Sequence, residues 1–234
     1  MAATELREED LKRLQALDTP TVCNALELVA PERRATGFTT EPLVCARPEL
    51  PAIVGYARTV TIRAKEPDAR SPAGHDRMAY YAYVASGPRP GICVIEDLDG
   101  AQVGFGAFWG EVHTNVHRGL GCAGVVTNGS IRDLDELAEG FQLLAGSVGP
   151  SHAHVHVVDF GGEVSVANMV VASGELIHAD RHGAVVIPIE VARDIPRAAE
   201  LVARREAPII EASRRPDFDL GKLRAAMREA AEIH

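Results

Sequence analysis

"GICVIEDLDGAQVGFGAFWGEVHTNVHRGLGCAGVVTN", residues 91–128, holds two apolar runs separated by a glycine-rich turn and a polar, periodic segment. The runs 91–98 and 122–128 are continuous rather than alternating, the pattern of strands buried on both faces of a parallel sheet. Between them, residues 107–121 read as a helix that ends at Gly119 or Gly121. Strand, helix, strand in that order predicts a parallel α/β unit.

Upstream of this unit, residues 53–64 are β-like and residues 77–87 form a short helix. Residues 5–17 place Leu6, Leu11, Leu14 and Leu17 on or near one helical face. A second helix follows, capped by Asp18 or Thr19, with Pro20 in its first turn where a missing N–H costs nothing. Residues 31–51 and 66–76 read as loops. Downstream, 133–141 reads as helical and 142–148 as a strand. Residues 151–188 are β-rich, with turns at Gly161-Gly162 and Ser173-Gly174. Helix then runs to about residue 206, Pro208 interrupts it, and a last helix starts near Leu220. No repeat or low-complexity linker divides the chain. The expectation is one α/β domain over 1–234, with a core of about 17–190 and a C-terminal helical arm of about 190–234.

A net charge of −9 with no Lys/Arg-rich run argues against a nucleic-acid surface, which needs clustered positive charge. No run of eighteen apolar residues occurs, so no membrane-spanning helix is expected, and the charged N-terminus has no apolar signal core. Cys23, Cys45, Cys93 and Cys122 are far apart with no C-x-x-C, which disfavours a zinc ribbon and suits a reduced, cytoplasmic setting.

The strand at 122–128 is followed by Arg132-Asp133. In α/β sheets ligands sit at the carboxyl ends of strands. If the two strands are neighbours, the helix start at Gly110, Glu111, Val112 and His113 meets that pair. Its unpaired amides suit a carboxylate, and the planar fork of Arg132 suits the same anion. Asp133 and Glu111 offer hard oxygen ligands for Mg²⁺ or Mn²⁺. The plainer reading is a salt bridge, with Asp133 capping the helix expected after it.

"GEVHTNVHRGLGCAGVVTNGSIRD", residues 110–133, resembles the motif of class II 4-hydroxy-4-methyl-2-oxoglutarate aldolases, an acidic residue, twenty others, then Arg-Asp. Glu111 stands where those enzymes usually carry Asp. The superfamily also contains the RraA-like regulators of ribonuclease E. The resemblance extends to "DTPTVCNALE", with Asn24 in place of a usual Asp, to "VGYARTVT", and to "GELIHADRHGAVVIP", with Ser173 in place of a proline. It covers roughly residues 17–210.

This resemblance implies a swivelling β/β/α fold, a homotrimer or dimer of trimers, and sites between subunits. It implies a metal-dependent retro-aldol lyase that releases pyruvate from a 2-oxo acid, with oxaloacetate decarboxylation as a side activity. By the motif, Asp133 binds the metal, Glu111 holds a metal-bound water, and Arg132 holds the pyruvyl carboxylate or keto oxygen. The amides of Glu111, Val112 and His113 hold the carboxylate. A glutamate from a neighbouring subunit's C-terminal helix is also implied, with Glu206 the best match and Glu200 second. A divalent cation stabilises the enolate left by carbon–carbon cleavage. No lysine stands in this stretch to form a Schiff base.

His113, Thr114, Asn115 and His117 stand where the family often has small apolar residues. His113 and His117 are four apart on one helical face, a spacing that suits zinc or a proton donor at the pocket, or else two hydrogen-bonded structural histidines. His152, His154 and His156 alternate as on one strand face, and suit a metal site, a polar face or a pocket wall. His178, Asp180 and His182 look like a ligand set, but by the resemblance they fall in a turn between two core strands, served by Asp180 and Gly183, and are read as structural. No G-x-G-x-x-G or G-x-S-x-G is present. Besides the lyase, two alternatives stand: a non-catalytic regulator of the RraA type, and an enzyme of the same fold whose altered chemistry uses His113 and the 152–156 row.

Overall fold

The computed structural model describes residues 6–69 and 77–234. The expected loop at 66–76 and the first residue of the 5–17 helix fall partly outside them. In chain order the elements are α1 (Glu8–Gln15), α2 (Thr19–Val29), β1 (Val44–Cys45), β2 (Ile53–Arg63), α3 (Arg77–Ala85), β3 (Gly91–Asp97), β4 (Ala107–Trp109), α4 (Glu111–Gly119), β5 (Cys122–Thr127) and β6 (Ser130–Ile131). They continue with β7 (Gln142–Ala145), β8 (Ser147–Val148), β9 (His156–Phe160), β10 (Val164–Val166), β11 (Met169–Val171), β12 (Leu176–Asp180), β13 (Gly183–Ile187), α5 (Ile195–Ser213) and α6 (Leu220–Ala231).

The main sheet runs β1-β7-β5-β3-β2-β12-β13, with β9 also on β2. Strands β2, β3, β5 and β7 are parallel, and β12, β13, β1 and β9 join antiparallel. The long β2 pairs β12 along its first residues and β9 along its last, so the sheet curls around it. Strand β2 is buried on both faces over most of its length, Arg58 and Thr59 included. One face is covered by α3 and α4 over Trp109, Phe141, Leu143 and Ile95. The other is covered by the β10–β11 hairpin through Val164, Val166, Met169 and Val171. Helices α1, α2 and α5 pack on β12 and β13 in a third core around Leu14, Val22 and Leu176. Burial of this kind contributes roughly 25 cal/mol per Å² of apolar surface.

Local signals explain several boundaries. Asp18 caps α2 by accepting from the Thr21 amide at 2.9 Å, and Pro20 sits in the first turn. Asp180 accepts from the amides of Thr19 (2.9 Å) and His182 (2.8 Å), which ties α2 to the β12–β13 turn. His178 is buried, bonding Thr19 Oγ1 at 3.0 Å and the carbonyls of Leu14 and Leu17. Asp180 serves the turn, and His178 ties β12 to the α1–α2 junction, so both are structural.

Four expectations are corrected. Residues 107–109 are strand β4, not the first turn of α4, because they pair with β6. Residues 133–141 are turns. Asp133 (φ 54°) and Gly140 (φ 70°) take left-handed backbone, and the Ala138 amide bonds Thr114 Oγ1 at 3.1 Å instead of a helical carbonyl. Pro208 does not end α5, which runs through it to Ser213. Packing of α5 on α2 and α6 outweighs a lost hydrogen bond that costs ~3 kcal/mol in an unsupported helix. Only His156 of the histidine row lies in a strand, since Ala153 has positive φ and breaks the alternation. Among the described residues no helix is long and apolar enough to cross a membrane.

Candidate active site

Beyond the carboxyl ends of β3, β5 and β7 the chain forms a second, three-stranded parallel sheet, β4-β6-β8. Each short strand follows one long strand. Asn128 stitches the ends of β3 and β5 together: its Oδ1 accepts from the Asp97 amide (2.7 Å) and its Nδ2 donates to the Asp97 carbonyl (3.2 Å). The buried Asp97 carboxylate accepts from the amides of Asp99 (3.0 Å) and Gly104 (2.8 Å) and so shapes the turn into β4. Burial pushes its pKa up from the usual carboxylate range.

Pairing of Trp109 with Ile131 sets Gly110 beside Arg132, and the Arg132 amide donates to the Trp109 carbonyl at 2.9 Å. Gly110 is the N-cap of α4. A β-carbon there would stand 2.4 Å from Asp133 Oδ2, so glycine is what lets the carboxylate approach the helix start. Asp133 Oδ2 accepts from the Glu111 amide at 3.3 Å and lies 3.5 Å from Arg132 Nε. The other oxygen, Oδ1, and the amides of Val112 and His113 carry no hydrogen bond among the described residues. The expected meeting of the helix start with Arg132-Asp133 is therefore present. The plainer capping reading changes its partner: Asp133 caps α4, which precedes it, because no helix follows.

Arg132, Asp133, Gly110, Val112 and His113 line a cavity of about 630 Å³. Arg77 and Tyr81 of α3, Phe108, and the 152–157 segment complete its wall. Glu111 lies on the first turn of α4 with its exposed side chain outside the lining. Glu200 and Glu206 are exposed on α5 and are not part of this wall within one chain. Sequence reasoning missed Arg77 and Tyr81; their four-residue spacing on one helix face was the available signal.

His113 stacks on Phe108, ring centroids 4.2 Å apart and 26° between planes, and its Nδ1–H donates to the Phe108 carbonyl. A carbonyl only accepts, so Nε2 is the unprotonated nitrogen of the neutral ring. Burial lowers the His113 pKa; the Phe108 bond opposes this, and the Arg77 and Arg132 charges add to it. His117 is fully buried; its Nδ1 bonds the His113 carbonyl at 2.6 Å and its Nε2 meets the Tyr80 hydroxyl at 2.7 Å. Burial pushes its pKa down to about 4. With both nitrogens engaged, His117 has no lone pair for zinc, and the His113–His117 zinc reading falls. His152, His154 and His156 all line the cavity, as a bent wall.

Among the described residues no three His, Cys, Asp or Glu side chains cluster as a metal cage. Asp133 offers one open carboxylate oxygen. That donor set suits Mg²⁺ or Mn²⁺, which take one or two carboxylates and fill other positions with water and substrate oxygen. It does not suit structural zinc.

The RraA-like family model, described as Aldolase/RraA, matches residues 19–186. The chain belongs to the RraA-like family. The family takes in both aldolases and RraA proteins, and the α/β architecture above is its fold. An uncharacterized protein from Pseudomonas syringae pv. tomato is similar at 21% identity and TM-score 0.71, over 96% of this chain and 97% of that one. Streptomyces coelicolor RraAS2, an unusual member of the RNase ES inhibitor RraA protein family, is similar at 19% identity and TM-score 0.65, over 90% and 98%. An S-adenosylmethionine: 2-dimethylmenaquinone methyltransferase from Geobacillus kaustophilus is similar at 17% identity and TM-score 0.51, over 69% and 91%. At these identities the likeness is one of fold. No curated protein matches the chain.

Proposed function

We propose that this RraA-like protein is a divalent-metal-dependent lyase that cleaves a 2-oxo acid and releases pyruvate or a similar keto acid. The observation that carries this reading is the Gly110 gap. It seats the Asp133 carboxylate against the open N-terminus of α4, with Arg132 beside it on the wall of the cavity. A salt bridge alone does not require a glycine there.

In this reading Asp133 would hold Mg²⁺ or Mn²⁺, and Glu111 would assist through water. The ion supplies Lewis-acid stabilisation of the negative charge that develops on the oxo acid. Arg132 binds the substrate carboxylate, and the amides of Val112 and His113 share that anion at the positive end of the helix. The Glu111 amide holds Asp133 in place. His113, neutral with a bare Nε2, takes the hydroxyl proton during cleavage. Copies of the chain assemble as a trimer or a dimer of trimers, and Glu206, or Glu200, of one copy's α5 enters the cavity of the next.

The test is pyruvate release and oxaloacetate decarboxylation with Mg²⁺ or Mn²⁺, then with EDTA, on the parent protein and on Asp133→Ala. Activity lost both in EDTA and in the variant is the expected result. No turnover of any 2-oxo acid with either metal refutes the lyase and leaves the regulatory role.

A further inference from the structure

The anchor made by Arg132, Asp133 and the start of α4 takes up only part of the lining. At about 630 Å³ the cavity falls in the range, roughly 300–1,000 Å³, that encloses ligands much larger than pyruvate. The rest of the wall is built mainly from flat and apolar groups. Arg77 and Tyr81 share one face of α3, and Tyr80 lines the cavity from the adjoining position. The Tyr80 and Tyr81 rings are 5.2 Å apart, and Tyr80 meets Phe108 edge-on at 6.3 Å and 83°. Phe108 in turn stacks on His113. Val155 and Val157 complete the apolar surface.

Aromatic faces and edges favour another ring in stacked or edge-on contact. A guanidinium such as Arg77 favours a π-face.

Resting on the lyase reading above, we propose that the far end of the substrate is an aromatic ring. The substrate class is a 4-aryl-4-hydroxy-2-oxobutanoate. The bond between C3 and C4 breaks, the C4 hydroxyl gives up its proton, and C4 leaves as an aryl aldehyde. The bonding pair stays on C3 as the pyruvate enolate, which takes a proton from solvent to give pyruvate. Tyr81 is the specificity-determining residue: it lines the cavity and is not needed to hold the carboxylate.

Titration calorimetry with phenylpyruvate and with pyruvate tests this, on the parent, Tyr81→Ala, Tyr81→Phe and Arg132→Gln proteins. Burial of the ring predicts that phenylpyruvate binds the parent at least about tenfold tighter than pyruvate. Tyr81→Ala removes most of that advantage and leaves pyruvate binding unchanged, Tyr81→Phe keeps it, and Arg132→Gln weakens both ligands. Cleavage of 4-hydroxy-2-oxo-4-phenylbutanoate then yields benzaldehyde and pyruvate in equal amounts. Equal affinities for the two ligands, or equal losses for both in Tyr81→Ala, overturn the aromatic assignment. If oxaloacetate is still decarboxylated in that case, the lyase stands and only the substrate class fails. If no oxo acid binds or reacts, both fall.

Discussion

Replacing Gly110 with alanine tests the geometry of the site more directly than removing a charged group. Gly110 has φ −166° and ψ −161°, extended backbone that any residue adopts, so the substitution carries no conformational penalty of its own. Its cost comes from the new methyl group, placed 2.4 Å from Asp133 Oδ2 and 3.2 Å from Arg132 Cγ. Ordinary contact lies near ~3.5 Å, so the carboxylate retreats by ~1 Å. Asp133 is 35% exposed and can swing toward water, so little packing is lost. The Glu111 amide loses its acceptor, a capping loss of about 1 kcal/mol. For a chain of this size that lowers Tm by about 2–4 °C. Displacement of a catalytic group by ~1 Å costs on the order of 100-fold in rate. Gly110→Ala is therefore expected to keep its fold, by circular dichroism and thermal unfolding, while kcat/KM for pyruvate release falls about 100-fold. A variant within about threefold of the parent rate would refute the reasoning.

Other perturbations report on the frame. His117 has a folded pKa of about 4, below the ordinary ~6.5, so the unfolded chain takes up this proton first on acidification. The linked stability is full above ~6.5 and is lost as pH falls toward 4, roughly 3 kcal/mol in all. The double variant His117→Leu/Tyr80→Phe, which leaves neither partner unpaired, should unfold in urea with a pH slope about one proton shallower over that window. Gly146→Ala would place a β-carbon 2.0 Å from the Asn128 carbonyl oxygen, and the measured loss of stability should reach the upper end of about 1–3 kcal/mol. Pro208→Ala restores an amide donor inside α5 and should raise Tm by a few degrees, since a helical proline costs up to ~3 kcal/mol.

The strands β3 and β5 and the cap of α2 could be read from the chain because local chemistry decides them. Continuous apolar runs have few other uses, and Asp18 with Pro20 leaves a helix start little choice. The meeting of α4 with Arg132-Asp133 was legible for the same reason, because adjacent parallel strands bring their carboxyl ends together. Residues 133–141 misled because Leu134, Leu137, Ala138 and Phe141 have helical spacing. What sets their conformation is left-handed backbone at Asp133 and Gly140 and a long-range bond from Thr114, none of it visible in periodicity. Ala107-Phe108-Trp109 was ambiguous as a short apolar run, and only pairing with β6 makes it a strand. The histidine row alternates in sequence, but its bend at Ala153 depends on the chain around it. The spacing of Arg77 and Tyr81 shows that they share a helix face, but only tertiary packing turns that face to the cavity.

The small β4-β6-β8 sheet separates two kinds of structural change. Gly110 and Arg132 hang from strands locked by backbone hydrogen bonds, where exchanging a side chain does not move the ladder. Arg77, Tyr81 and residues 152–155 belong to a helix and a turn outside that ladder. Mutational drift can therefore resurface the outer half of the cavity, one side chain at a time, while the carboxylate anchor keeps its coordinates. A lineage built this way diversifies in what it accepts sooner than in what it does to it.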